Sequence, residues 1–245
     1  MGNGTNAAPL VIYHSGCRDG WCAAWVVNNA MQYREVAPEF HGGVYGQPPP
    51  DVKGRHVIMV DFSYPRDVMD QIANNCTSLV VLDHHRTAEA ALSGLGDPIG
   101  DVGAKVRVVF DMKRSGAGIA WDYFNMDFTA DGPHYGLPYP RPWLVDYVED
   151  RDLWQHKLPD SHAVNAYIGT IPFTFEDWDR ANQMALPAAA LAGKYVEAKV
   201  RQYVTEVSKN ARRVVFAGHD VPIVNAPQCD ISELLDHLAQ GEVFA

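Results

Sequence analysis

The chain has 245 residues, 47% hydrophobic and 20% charged, enough for a sizeable core in one large domain or two small ones. Its formal net charge of −10 argues against a sequence-independent grip on long duplex DNA, which relies on many Lys and Arg contacts, but leaves a short nucleotide substrate open. No run approaches the roughly 18 apolar residues of a membrane span. Residues 1–9 lack the basic and apolar regions of a secretory signal. Cys17, Cys22, Cys76 and Cys229 form no CxxC pair and no disulfide-dense pattern. A cytoplasmic protein with no membrane partner is expected.

In chain order, Leu10-Val11-Ile12-Tyr13 reads as a strand that runs into His14, followed by Ser15-Gly16-Cys17-Arg18-Asp19-Gly20. Trp21 to Met31 reads as a helix. Pro48-Pro49-Pro50 marks a loop. Val57-Ile58-Met59-Val60 is a second apolar strand, ending in Asp61, and Met69 to Asn75 a short helix. Leu79-Val80-Val81-Leu82 is a third strand, ending in Asp83-His84-His85, with a helix from Thr87 to Leu92 and Thr87 as a candidate N-cap. Val106 to Phe110 is a further strand, and Ser115 is placed to cap a helix from Gly116 to Phe124. Residues 138–142 read as a break. Ala188 to Arg213 reads as one long helix, softly interrupted at Gly193. Arg213 to Ala217 and Val221 to Val224 look like strands around a Gly218-His219-Asp220 turn. A helix is expected over Ile231 to Ala239, capped by Asp230 or Ser232, and a new strand near residue 241.

Strands alternating with helices predict an α/β fold, a mostly parallel sheet flanked by helices. The expected division is a first domain over 1–187, a linker helix over 188–212, and a small, incomplete α/β C-terminal domain over 213–245, too short to bury much core. Three apolar strands deliver acid or imidazole groups at their C-terminal ends, where open parallel sheets place their ligands. Asp and His are oxygen and nitrogen donors suited to a divalent ion such as Mn²⁺ or Zn²⁺. Chance explains one such strand end easily, as a turn that happens to be polar, but not three of one polarity.

The four segments HSGCRDGWCAAW, DFSYP, LDHH and EDRDLW occur in order, each of the first three following a strand. In this the chain resembles the DHH phosphoesterase superfamily, whose closest members join a DHH domain to a smaller DHH-associated domain. The likeness runs from about Leu10 to Phe244 and includes RSGAGIAWDYF (Arg114 to Phe124). It implies a two-metal site, usually Mn²⁺, with Mg²⁺ or another divalent ion as alternatives. His14 and Asp61 would hold one ion; Asp19, Asp61, His84 and Asp150 would hold the other, with Asp61 bridging. Asp83 would be a ligand or orient the site, and His85 would face the phosphate. Where many relatives carry an acid two residues before the Asp-Gly step, this chain has Cys17, read as near the site without being a ligand. The relatives' Gly- and His-rich phosphate motif late in the C-terminal domain does not occur before Ala245.

Asp150 is expected as the ligand and Asp152 as an outer or capping acid; the two share a side if the segment is extended and diverge if it is helical. Asp146 reads as an exposed helix residue. Arg86 and Arg18 offer guanidinium forks for a substrate phosphate, although surface ion pairs fit them as well. Trp21, Trp25 and Trp154 read as core before base-stacking. His41, His56, His134, His156, His162, His219 and His237 lack clustered partners and read as surface or satisfied side chains. The resemblance implies metal-dependent hydrolysis of phosphodiester bonds, and the low positive charge favours short oligonucleotides or dinucleotides. The alternatives are an inorganic pyrophosphatase or polyphosphatase, or a non-catalytic nucleotide sensor.

Overall fold

A computed structural model describes residues 8–96, 104–125, 140–227 and 230–242. His134, Cys229 and parts of the expected break at 138–142 and strand near 241 lie outside the described residues. The chain divides into two compact units, one of residues 1–161 and 171–185, the other of residues 162–170 and 186–245.

In the first unit, β1 (Leu10–His14), β2 (Glu39–Gly43), β3 (His56–Val60), β4 (Ser78–Asp83) and β5 (Val106–Phe110) form one sheet in the order β2-β1-β3-β4-β5. Every pairing is parallel. The three central strands are nearly continuous apolar runs because both sheet faces are covered. On one face Leu10, Ile12, Val57, Met59, Leu79 and Val81 pack with Met69 and Ile72 of α2 (Arg66–Asn75). By strand alternation Val11, Ile58 and Leu82 point to the other face, where α1 (Arg18–Gln32) meets β1 and β3 and α4 (Gly116–Asn125) meets β3 and β4. Each such side chain, buried from water, contributes roughly 1.5–3 kcal/mol.

Helix α1 carries eleven buried residues, among them Trp25, whose indole Nε1 donates to Asp179 Oδ1 at 2.7 Å. Ser115 caps α4 as its sequence suggests, its hydroxyl accepting from the Gly118 amide at 3.1 Å. Helix α3 (Arg86–Ala91) begins one residue earlier than expected, after His85 rather than a Thr87 cap. Strand β2, EFHGG, gives no apolar run, because an edge strand is only half covered; it emerges from its pairing with β1. Helices α5 (Trp143–Asp152) and α7 (Phe175–Asn182) complete the unit.

Helix α6 (Ser161–Ile168) joins the second unit from its second residue onward. That unit also holds α8 (Leu186–Ser208), an antiparallel pair of β6 (Arg212–Phe216) and β7 (His219–Ile223), and α9 (Ile231–Leu238). The hairpin turns at Ala217 and Gly218, both left-handed, one residue before the expected turn. Positive φ at both central residues suits the twist of a two-residue hairpin. Asp230 precedes α9 in the left-handed region, with no side-chain cap bond. Among the described residues no helix is long and apolar enough to cross a membrane.

Candidate metal centre

Strand order reverses beside β1: the chain leaves it toward β2 on one side and returns to β3 on the other. Crevices outside the carboxyl ends of parallel strands open at such points. His14 ends β1, Asp61 follows β3, and Asp83 ends β4 before His84 and His85. Asp61 has a φ of 54°. A non-glycine residue in this region costs of order 1–3 kcal/mol and persists where its surroundings fix it. The Asp61 amide still donates to Leu82 O at 2.9 Å, so the chain turns sharply without leaving the sheet.

Two triads share Asp61. One ligand atom each from His14, Asp61 and His85 lie within 4.8 Å of one another, and the same holds for Asp19, Asp61 and His84. His84 Nε2 stands 3.1 Å from Asp61 Oδ1, 3.5 Å from Asp152 Oδ2 and 3.7 Å from Asp19 Oδ2. His14 Nδ1 and Asp61 Oδ2 are 3.5 Å apart, and both atoms are buried without a hydrogen bond. Buried polar atoms in native folds are otherwise paired. The unpaired imidazole nitrogen and carboxylate oxygen at the end of a sheet are donors that fit a divalent cation.

The acids crowd one another. Burial pushes Asp19 well above the carboxylate range, and the charges of Asp61 and Asp152 add to this. Burial likewise raises Asp152, to about 6, although His84 opposes it. For Asp61 the burial penalty is outweighed by His14 and His84, which bring it down to about 2. Burial would lower His84, but Asp61, Asp152 and Asp19 hold it up at about 9. The surrounding carboxylates thus favour the protonated form of His84 in the metal-free chain.

Asp83 was expected either to be a ligand or to orient the site. It is fully buried and belongs to neither triad. Its Oδ1 accepts from the His84 amide at 2.7 Å, the His85 amide at 3.3 Å and His85 Nδ1 at 2.6 Å, and its Oδ2 from the Ser63 hydroxyl at 2.6 Å. Through Oδ1 Asp83 orients both histidines. That bond leaves Nε2 as the free nitrogen of His85 and raises its basicity against the opposing effect of burial.

Asp150 departs from its expected place. Residues 143–152 are helical, so two positions differ by about 200° around the axis. Asp150 turns away and ties down the following loop. It accepts from the Lys157 amide at 2.9 Å and the Ser161 hydroxyl at 2.5 Å, which outweigh burial and lower its pKa. Asp152 faces His84 instead.

Cys17 precedes α1 and belongs to neither triad, and burial together with Asp61 and Asp19 raises its thiol pKa. Arg86 is exposed at the start of α3. Trp21 and Trp25 are core residues, while Trp154 is exposed beside Arg151. Tyr45, a residue without a motif, leans on His14 with ring centroids 5.4 Å apart and on Phe62 at 4.8 Å, and stays about half exposed. Burial and the neighbouring Asp83 and Asp61 push its phenol up to about 12.

No family model matches the chain. An uncharacterised protein of Acanthamoeba polyphaga mimivirus is 28% identical over 183 residues, covering 69% of this chain and 39% of that protein. The chain therefore spans well under half the length of the curated relative it matches. Among solved structures, the DHH domain of a protein described as a member of a ribosomal-protein family aligns over 96% of this chain and 69% of that chain, with 13% identity and a TM-score of 0.49.

Proposed function

We propose that this chain is a metal-dependent phosphoesterase that hydrolyses the phosphodiester bonds of short oligonucleotides or dinucleotides. The observation that carries this reading is the pair of triads sharing Asp61, with buried, unpaired donor atoms at the mouth of a parallel sheet. The ordered motifs and their resemblance to the DHH phosphoesterases support it. When bound, two divalent ions, with Mn²⁺ the first choice, supply charge neutralisation and polarisation of water and phosphoryl oxygen.

The protein's own groups divide the remaining work. Asp61 would serve both sites, His14 one of them, and Asp19 and His84 the other. His85, fixed by Asp83 and able to hold a proton at Nε2, delivers that proton to the departing oxygen. Tyr45 offers a half-exposed ring beside His14 for the organic part of the substrate. The net charge of −10 fits a short substrate better than a long strand.

The test is product analysis after incubating the purified chain with Mn²⁺ and a 5′-labelled dinucleotide, with inorganic pyrophosphate in a parallel tube. Release of mononucleotide, lost in EDTA and in Asp61→Ala, is the expected result. Phosphate from pyrophosphate alone would transfer the assignment to a pyrophosphatase. Dinucleotide binding with no turnover would make the chain a sensor.

A further inference from the structure

Asp19 is held by the first turn of α4: its Oδ2 accepts from the Gly116 amide at 2.5 Å and its Oδ1 from the Ala117 amide at 3.0 Å. The helix end comes this close because residue 116 is glycine. A Cβ there would lie 2.5 Å from Asp61 Cβ and 3.0 Å from Asp19 Oδ2. The position of α4 along its axis therefore sets where the Asp19 carboxylate sits.

That position has its own clamp, on the side of α4 away from Asp61. Glu149 Oε2 accepts from the Ser115 amide at 3.1 Å and from Arg114 Nε at 2.9 Å, and its Oε1 accepts from Arg141 Nη2 at 2.8 Å. Arg114 reaches on to Asp122 within α4 itself. Gly118 makes room: a Cβ there would fall 1.7 Å from Glu149 Oε2. Both glycines of the RSGAG segment are thus accounted for by carboxylates pressed against the helix, Asp19 and Glu149. Glu149 stands three residues before Asp152 on α5, so the helix that grips α4 also presents an acid to His84. The Glu149 carboxylate pairs with both Arg114 and Arg141, which also reach Asp122 and, from Arg141, Asp146.

We infer that Glu149 is a positioning residue for the metal site containing Asp19. It acts through the Ser115 amide and the first turn of α4, without touching ion or substrate. The inference rests on the two-metal reading proposed above. Groups that orient metal ligands typically change affinity by about 10- to 100-fold when removed.

The experiment is Mn²⁺ titration by calorimetry on the full chain and three variants, with thermal melting in EDTA alongside. Wild type is expected to take up two ions. Glu149→Ala and Glu149→Asp, the latter keeping the charge but too short to reach the Ser115 amide, are expected to weaken one of the two by about 10- to 100-fold. Glu149→Gln keeps an acceptor for that amide and is expected to restore most of the affinity. If Glu149→Ala does not fold, Glu149→Asp and Glu149→Gln decide. A folded Glu149→Asp with both affinities unchanged, whatever its melting temperature, overturns the inference, as does an equal loss at both sites. A wild type that takes up no Mn²⁺ overturns the two-metal reading itself, and the inference with it.

Discussion

Asp152 Oδ2 lies 3.5 Å from His84 Nε2, whereas Asp150, two residues earlier on the same helix, is bonded to Ser161 and the loop that follows. The two acids therefore fail differently when removed. Asp152→Asn is expected to lower Mn²⁺ affinity at the site containing His84 while leaving the fold intact. Asp150→Ala strips the partner from the Ser161 hydroxyl and Lys157 amide, and is expected to cost about 1–3 kcal/mol of stability. Calorimetric titration and denaturant unfolding of both variants measure the two effects; a loss of Mn²⁺ affinity confined to Asp150→Ala would reverse the assignment.

His85 and Asp83 work as a pair, held at 2.6 Å. His85→Ala is expected to reduce kcat on a dinucleotide by about 10²- to 10⁴-fold, the usual range for a general acid. Mn²⁺ stoichiometry should stay at that of wild type. If the variant instead loses an ion, His85 is a ligand of the triad with His14 and Asp61 rather than a proton donor.

The crowded carboxylates give the metal-free chain a signed pH dependence. His84 titrates near 9 in the folded chain against an ordinary 6.5, so its stabilising contribution is full below 6.5 and lost as pH rises through 9. Asp152, raised from 3.8 to about 6, costs stability as pH rises through that window, and Asp19 acts in the same direction. Asp61, lowered to about 2, contributes fully above 3.8 and loses its contribution only as pH falls through 2. In EDTA the chain is expected to melt at a lower temperature at pH 9 than at pH 6, and Mn²⁺ should narrow or reverse that difference. Because the ions displace protons, the heat of Mn²⁺ binding at pH 7 should vary with the ionisation enthalpy of the buffer. A heat independent of buffer would contradict a protonated His84.

Tyr45 stands at the mouth of the cluster without belonging to it. Stacking of a base on an aromatic side chain contributes about 1–3 kcal/mol. Tyr45→Ala is expected to raise KM for a dinucleotide roughly tenfold or more, with kcat little changed, whereas Tyr45→Phe keeps the ring and should stay near wild type. A large fall of kcat in Tyr45→Phe would show that the hydroxyl, rather than the ring, matters.

Elements whose physics is local were legible in the chain before any fold was known. Runs such as Leu79-Val80-Val81-Leu82 announce buried parallel strands because both their faces lose water. The groups that end those runs, His14, Asp61 and His84, needed only strand polarity to be gathered at one sheet edge. Ser115 was readable as a cap from its place before an apolar helix. Direction, by contrast, came from tertiary packing. Asp150 and Asp152 exchanged their expected places because a helix rotates neighbours about its axis, and nothing in EDRDLW fixes which acid turns inward until α5 is docked. Asp83 holds the two histidines that follow it in the chain, and only its bond from Ser63 comes from a separate segment. The edge strand β2, with Tyr45 just beyond it, and the grip of Glu149 on α4 arise from contacts across tens of residues. No pattern of spacing encodes such contacts, since each residue is held in place by a partner that only folding supplies.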